Sequence, residues 1–290
     1  MATFPRFLSS FRKEHGFNSG NFFTTTNPKT SKNGKVSDRP TIVLHLEPVT
    51  FGACPAAGSC AAVCLNRAGN PAYLTGKLAR RHKRSVAFNT NRSQFLQLLV
   101  VEAARFRAQG YIGVRLNGTS DIAWERESVY IDAAMLCWIS DNVPAFSITI
   151  PGRYYPLMKV LTAMGFEPYD YTKRIDRCFI TAAALGYHLT LSWGGKHDAT
   201  ILDVASTYRL NVAAGISGIK RSEAMPQVVV VDGHVFPVVD GDVTDWRRDD
   251  PTSTDGTPYV VGLRIKRTPG QTPEQVRRFA IADCSGAPSP

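Results

Sequence analysis

The sequence predicts an α/β protein, a full or partial (β/α) barrel of about six parallel strands, on three observations. Short apolar runs alternate with helical segments from Thr41 to Ile216, the rhythm that right-handed crossovers turn into a parallel sheet. Gly110, Gly165 and Gly186 fall where helices should end. Polar residues gather just after the strands, where parallel α/β proteins carry their ligands. At 290 residues and 43% hydrophobic content, the chain can bury one large core or two small ones.

Strands are expected at "TIVLHL" (41–46), "YIGVRLN" (111–117), "AFSITI" (145–150), "EPYDYT" (167–172), "YHLTLSW" (187–193) and "LNVAAGI" (210–216). Helices with an apolar period near 3.6 are expected at "SQFLQLLVVEAARFRAQ", "ESVYIDAAMLCWISD", "YPLMKVLTAM", "RIDRCFITAAAL" and "ATILDVASTYR". Residues 1–40, rich in Ser, Thr, Asn and Lys with aromatics from Phe4 to Phe23, read as an extended basic arm rather than a packed element. Residues 41–216 form the barrel-like domain. Residues 217–290 read as a β-rich extension with Asp-Gly turns, covering the mouth or an edge and ending in a disordered "SGAPSP".

No apolar run reaches the roughly 18 residues of a membrane helix, and Pro5 and the early charges break any signal-peptide pattern. The expected compartment is the cytoplasm, where six cysteines are reduced thiols or metal ligands. A net charge of +10 and a pI near 9.4 favour a polyanionic partner, nucleic acid or a nucleotide, although a generally basic soluble protein fits as well. There is no P-loop, H-E-x-x-H, G-x-S-x-G or G-x-G-x-x-G signature, which argues against the NTPases, proteases, hydrolases and dehydrogenases that carry them.

The strongest chemical signal is Cys54, Cys60 and Cys64, spaced C-x5-C-x3-C on a loop of alanines with Pro55 and Gly58. Three thiolates on one loop suit zinc or an iron-sulfur cluster and leave one coordination position open. Buried core thiols are the plainer reading. Cys284 is a possible fourth ligand that would close the site, whereas Cys137 and Cys178 lie on apolar helical faces.

A cysteine triplet after the first strand of such a barrel resembles the radical S-adenosylmethionine enzymes, although their usual spacing is C-x3-C-x2-C with an aromatic before the last cysteine, where this chain has Val63. That resemblance implies a [4Fe-4S] cluster whose open iron binds S-adenosylmethionine. "TFGACPAAGSCAAVCLNRAG", "VRLNGTSDIAWE", "YDYTKR", "HLTLSWGG" and "VVDGDVTDWRRDDP" followed by "VVGLRIK", in that order, resemble the bacteriophage gene product eighty-eight family. The resemblance implies a phage origin and a thiolate-bearing barrel, and supplies no activity.

The other strand ends offer Arg115, Asn117, Ser120 and Asp121, then Tyr171 and Lys173, then Ser192 and Trp193. Asp121 is either an active-site carboxylate or an N-cap, a role shared with Ser120. Lys173 suits a phosphate or carboxylate, and Trp193 could stack a base. His45 and Glu47 could line the mouth. Lys77, Arg80, Arg81, Lys83 and Arg84 form a basic helix suited to phosphates or simply to solvent. Asp240, Asp242, Asp245, Asp249 and Asp250 offer carboxylates for a hard metal, but turns and Arg247 or Arg248 pairing explain them too. The expectation is a radical-SAM-like iron-sulfur enzyme acting on a nucleotide or nucleic acid. The alternatives are a zinc-stabilised nucleic-acid-binding protein of phage replication or packaging, and a zinc-dependent base-modifying enzyme.

Overall fold

The computed structural model describes residues 4–17, 22–25, 38–48, 50–67, 73–265 and 270–284; the "SGAPSP" tail lies outside them. In chain order the elements are α1 (Arg6–Glu14), β1 (Thr41–Val43), α2 (Leu74–Thr90), α3 (Arg92–Ala108), β2 (Gly113–Arg115), β3 (Ser128–Ile131), α4 (Ala133–Asn142), β4 (Arg153–Pro156) and α5 (Leu157–Ala163). They continue with β5 (Glu167–Thr172), α6 (Phe179–Ala184), β6 (His188–Ser192), α7 (Asp198–Tyr208), β7 (Val212–Ser217), β8 (Val228–Val231), β9 (His234–Asp240), β10 (Val260–Arg264), α8 (Pro273–Phe279) and β11 (Ala280–Asp283).

The main sheet has nine strands in the order β1-β2-β5-β6-β7-β10-β9-β8, with β11 also pairing β7. Its register sets Ile42 against Val114, Val114 against Pro168, Thr172 against Leu191 and Leu191 against Val212. All pairs are parallel except β8–β9. The run β1-β2-β5-β6-β7 has the neighbour order expected of a barrel wall. The sheet does not close, however, because β10, β9 and β8 extend it beyond β7. The C-terminal third thus continues the sheet as an edge, and its last helix and strand turn back to the mouth.

Three expectations change. "AFSITI" is not a strand: Phe146 and Ile148 face inward while their neighbours are exposed, but β2 pairs directly with β5 and leaves no slot between them. The helix expected from Glu127 begins late, because Val129, Tyr130 and Ile131 take an antiparallel ladder with β4. Asp132 then caps α4, its carboxylate accepting from Met135 N at 2.8 Å. The arm is also packed. It forms α1, whose Leu8 and Phe11 share a buried face, and Thr24 bonds Val43 across the free edge of β1 at 2.8 and 2.9 Å.

α3 is buried on all sides from Phe95 to Ala104, which marks a central helix. The arm is what covers its outer face. Phe22 packs on Phe95 and Phe23 on Phe106, at ring separations of 5.0 and 5.8 Å; Arg12 pairs with the buried Glu102. A second, smaller core around Ile216, Val229, Phe236 and Val260 lies under the C-terminal strands. Among the described residues, no helix is long and apolar enough to cross a membrane.

Candidate functional site

β1, β2, β5 and β6 run parallel, so their C-terminal ends open on one mouth, and the cysteine loop lies across it. The loop is a chain of short 3-10 turns at Thr50–Gly52, Gly58–Ala61 and Leu65–Arg67, since alanine, glycine and proline give it no side chains with which to build a helix face. It is fastened at both sides. Asp121 N donates to Ala53 O at 2.7 Å, and Cys60 N donates to Gly194 O at 2.8 Å. Ser59 Oγ donates to the same Gly194 O at 3.1 Å, and Lys196 N reaches Ala56 O at 3.2 Å. Gly58 sits at φ +49°, and a Cβ there would stand 2.4 Å from the Gly195 carbonyl carbon.

Cys54, Cys60 and Cys64 are half-buried free thiols. Burial, then Asp121, then Cys64 and Cys60 push the Cys54 thiol far up, while Lys173 pulls it the other way. Burial likewise raises Cys60, again against Lys173. Cys54 thus feels the charge of both other thiols, and Cys60 that of Cys64. Among the described residues, no group of three His, Cys, Asp or Glu side chains stands close enough to hold a metal ion. Cys284 sits at the end of β11, its N–H on Ser217 O at 3.0 Å and its side chain against the second core; Asp283 is the charge that acts on it.

Asp121 is a buried strap between strand ends. Its carboxylate accepts from Thr172 Oγ1 at 2.7 Å, Lys173 N at 2.8 Å and Arg177 at 3.4 Å. Burial raises its pKa against those donors. The N-cap alternative for Ser120 and Asp121 fails, because the next helical turn is a 3-10 turn capped at Ala123. Ser120 instead donates to Asn117 Oδ1 at 3.0 Å. Asn117 Oδ1 also takes Ile122 N and Trp124 Nε1, both at 2.9 Å, so this amide is committed to shaping the β2 loop. Lys173 points to the β6 end: its Nζ donates to Ser192 Oγ at 2.8 Å and to Trp193 O. Trp193 bridges the two apolar cores, and its N–H goes to Ala213 O.

Arg115 and Tyr171 leave the mouth. Strand alternation turns them to the opposite face, where Arg115 pairs with Asp245 and Tyr171 Oη donates to Asp245 at 3.1 Å. The acidic run serves arginines: Asp240 and Asp242 hold Arg264, and Asp250 holds Arg247. The basic helix divides similarly. Arg81 and Arg84 are buried against His45 and the thiol loop, out of reach of a phosphate backbone, and only Arg80 and Lys83 are exposed. Lys77 is intermediate. His45 is held neutral, its pKa lowered to about 2 by burial and by Arg81, and Glu47 faces His82 at 2.8 Å.

Sequence reasoning missed four features here. Arg177 and Glu125 form a fully buried bidentate pair at 2.7 and 2.6 Å beneath Asp121. Phe279 arrives from α8, its ring 5.6 Å from Lys173 Nζ; nothing in its local sequence signals that. A cleft of about 250 Å³ opens beside the thiol loop, with Asp121 in its wall. At its lip Phe51 is 48% exposed and held at φ +63°, a left-handed conformation that costs a bulky residue about 1–2 kcal/mol.

The thiol loop, the "LNGTSD" turn, the "DYTKR" end and the "SWGG" turn thus meet in space in the combination seen in order along the sequence. Neither a curated protein nor a solved structure matches the chain. A sequence model described as Gene product 88 matches residues 20–280, nearly the whole chain and all four of those segments, and the protein belongs to that family of phage proteins.

Proposed function

We propose that Cys54, Cys60 and Cys64 hold an iron-sulfur cluster and that the protein is a radical-SAM-like enzyme acting on a nucleotide or nucleic acid. The observation that carries this reading is the fastening of a loop with three half-buried thiols across the C-terminal mouth of a parallel sheet. Three thiols on one loop suit a cluster, which spreads its ligands over several irons, whereas one tetrahedral zinc would need them to converge at about 2.3 Å. Cys284 lies with the second core, which favours three ligands and an open position over a closed structural site.

When bound, such a cluster would supply electron transfer to S-adenosylmethionine. The chain's own residues would do the rest. Lys173, fixed by Ser192 and Trp193, places a positive charge beside the thiolates. Asp121 ties the β2 loop to the β5 end through Thr172 and Lys173 N and so keeps that charge in place. It is a positioning residue.

The test is anaerobic purification with iron, sulfide and zinc analysis and a visible spectrum. About four irons per chain are expected, lost in Cys54→Ala, Cys60→Ala and Cys64→Ala and kept in Cys284→Ala. One zinc that also needs Cys284 would replace this reading with a zinc-stabilised binding protein, and metal-free protein would end both.

A further inference from the structure

The cleft beside the thiol loop is walled by Arg92, Arg126 and Arg174 on one hand and by Asp121 and Glu127 on the other, with Phe51 at its lip. Its size suits one nucleobase or sugar-phosphate unit rather than a duplex. Two of its arginines are tied from outside by one residue, Arg174 through the Asp176 carboxylate and Arg126 through the Asp176 main-chain carbonyl. Arg174 holds Asp176 at 2.6 and 2.9 Å, and Arg126 donates to Asp176 O at 2.5 Å, its guanidinium 3.9 Å from the Asp176 carboxylate. Asp176 is 60% exposed and does not line the cleft. The Asp176 carboxylate, bonded to Arg174 and 3.9 Å from Arg126, is an exposed anion that competes for both guanidinium groups with any anion brought by a ligand in the cleft. Arg92, by contrast, is taken up by Glu127 at 3.3 Å and by the Phe88 ring.

We propose that this cleft receives one nucleotide, its base against Phe51 and its phosphate on Arg126 and Arg174, with Asp176 displaced. An aromatic face stacks any base, and a planar guanidinium fork suits phosphate oxygens. The exposed, strained Phe51 is explained by the same contact, since strain of this kind is kept where a ligand uses it. The proposal deepens the reading of the previous section by naming its substrate class, and rests on that reading for the chemistry but not for the binding. A free nucleotide and one residue of a single strand share this chemistry.

The test is calorimetric titration of the full-length protein with thymidine 5′-monophosphate and, separately, a short oligodeoxythymidylate. Saturable binding is expected, weakened about tenfold in Phe51→Ala and in Arg126→Ala, strengthened several-fold in Asp176→Asn, and unchanged in Lys220→Ala, a remote surface variant 81% exposed at its side chain. Both weakened positions are half-exposed, so their variants fold, and iron content measured on the same samples checks the thiol loop. Tighter binding of the strand identifies a single-stranded nucleic acid, and equal or tighter binding of the monophosphate identifies a free nucleotide. No saturable binding of either probe, or equal affinity in Phe51→Ala, Arg126→Ala and Lys220→Ala, overturns the proposal. Iron-free protein that still binds through Phe51 and Arg126 would leave the cleft standing and remove the cluster reading instead.

Discussion

The buried Asp170 and half-buried Asp250 pull the pH dependence of stability one way, and the buried His45 and half-buried His188 the other. Burial raises Asp170 and Asp250 to about pH 6, so between about pH 4 and 6 the native state holds protons that the unfolded chain releases. Their contribution is greatest at the acid end and falls as pH rises through 6. Burial lowers His188 to about 4 and His45 to about 2. The unfolded chain takes up protons near pH 6.5 that the native state refuses, so their contribution falls as pH drops below that value. The slopes oppose each other across the same window. Asp250→Asn is therefore expected to steepen the loss of stability between pH 6 and 4, and His188→Gln to flatten it, both read from urea midpoints against pH. The cysteine loop and Asp121 could be placed at strand ends from the sequence because each closely follows an apolar run, but that Asp121 straps Thr172 and Lys173 N could not be read from it. Asn117 and Arg115 misled, because a side chain that shapes a loop and one that binds a ligand look alike until its partners are known. Phe279 and the Arg177–Glu125 pair are made by tertiary contact alone.

The cysteine loop owes its shape to backbone contacts, so its weak points are glycines rather than ligands. Gly58→Ala adds a methyl against the Gly195 backbone at a positive φ, which forces the loop and the β6 turn apart at a cost of about 1–3 kcal/mol. Metal content is expected to fall more than the melting temperature does, because the fold's main core lies under α3 and not under the loop. Equal iron in Gly58→Ala and wild type would show that the loop closes without the Gly194 clamp. Strand positions were readable where alternation met a partner, as in β5, and failed at "AFSITI", where the same alternation had no neighbouring slot. Periodicity describes one segment's faces; pairing is decided by what lies beside it.

The molecule as a whole is held by the cover on α3, which α2, α4, α5 and β3 share with the N-terminal arm. The arm's composition suggested solvent, but its aromatics are spaced to bury α1 and residues 22–23 against Phe95, Phe106 and Trp138. Phe22→Ala is expected to cost about 3–5 kcal/mol, and deletion of residues 1–25 to expose the α3 face that carries Phe95, Glu102 and Phe106 and to abolish cooperative unfolding, followed by circular dichroism. An unchanged transition in the deletion would mean that α3 is covered some other way. The open sheet was hidden from sequence because β10, β9 and β8 read as hairpins, and only β9 and β8 form one. The parallel joins of β10 to β7 and β9 depend on register between distant segments.

The edge of β7 is shared, by β6 along its first residues and by β11 along its last, and α8 delivers Phe279 to Gly194, the residue whose carbonyl holds Cys60. Contacts between segments so far apart along the chain wait on the closure of long loops and are expected to form late. A refolding chain is then expected to build the local pairs of its sheet before the thiol loop is clamped. If the thiols hold the proposed cluster, a metal present from the start would meet them on an unclamped loop, and one added afterwards would meet them with Cys60 N already on Gly194 O and Phe279 packed on Gly194. The order in which metal and chain come together is thus expected to decide how much of the protein becomes loaded.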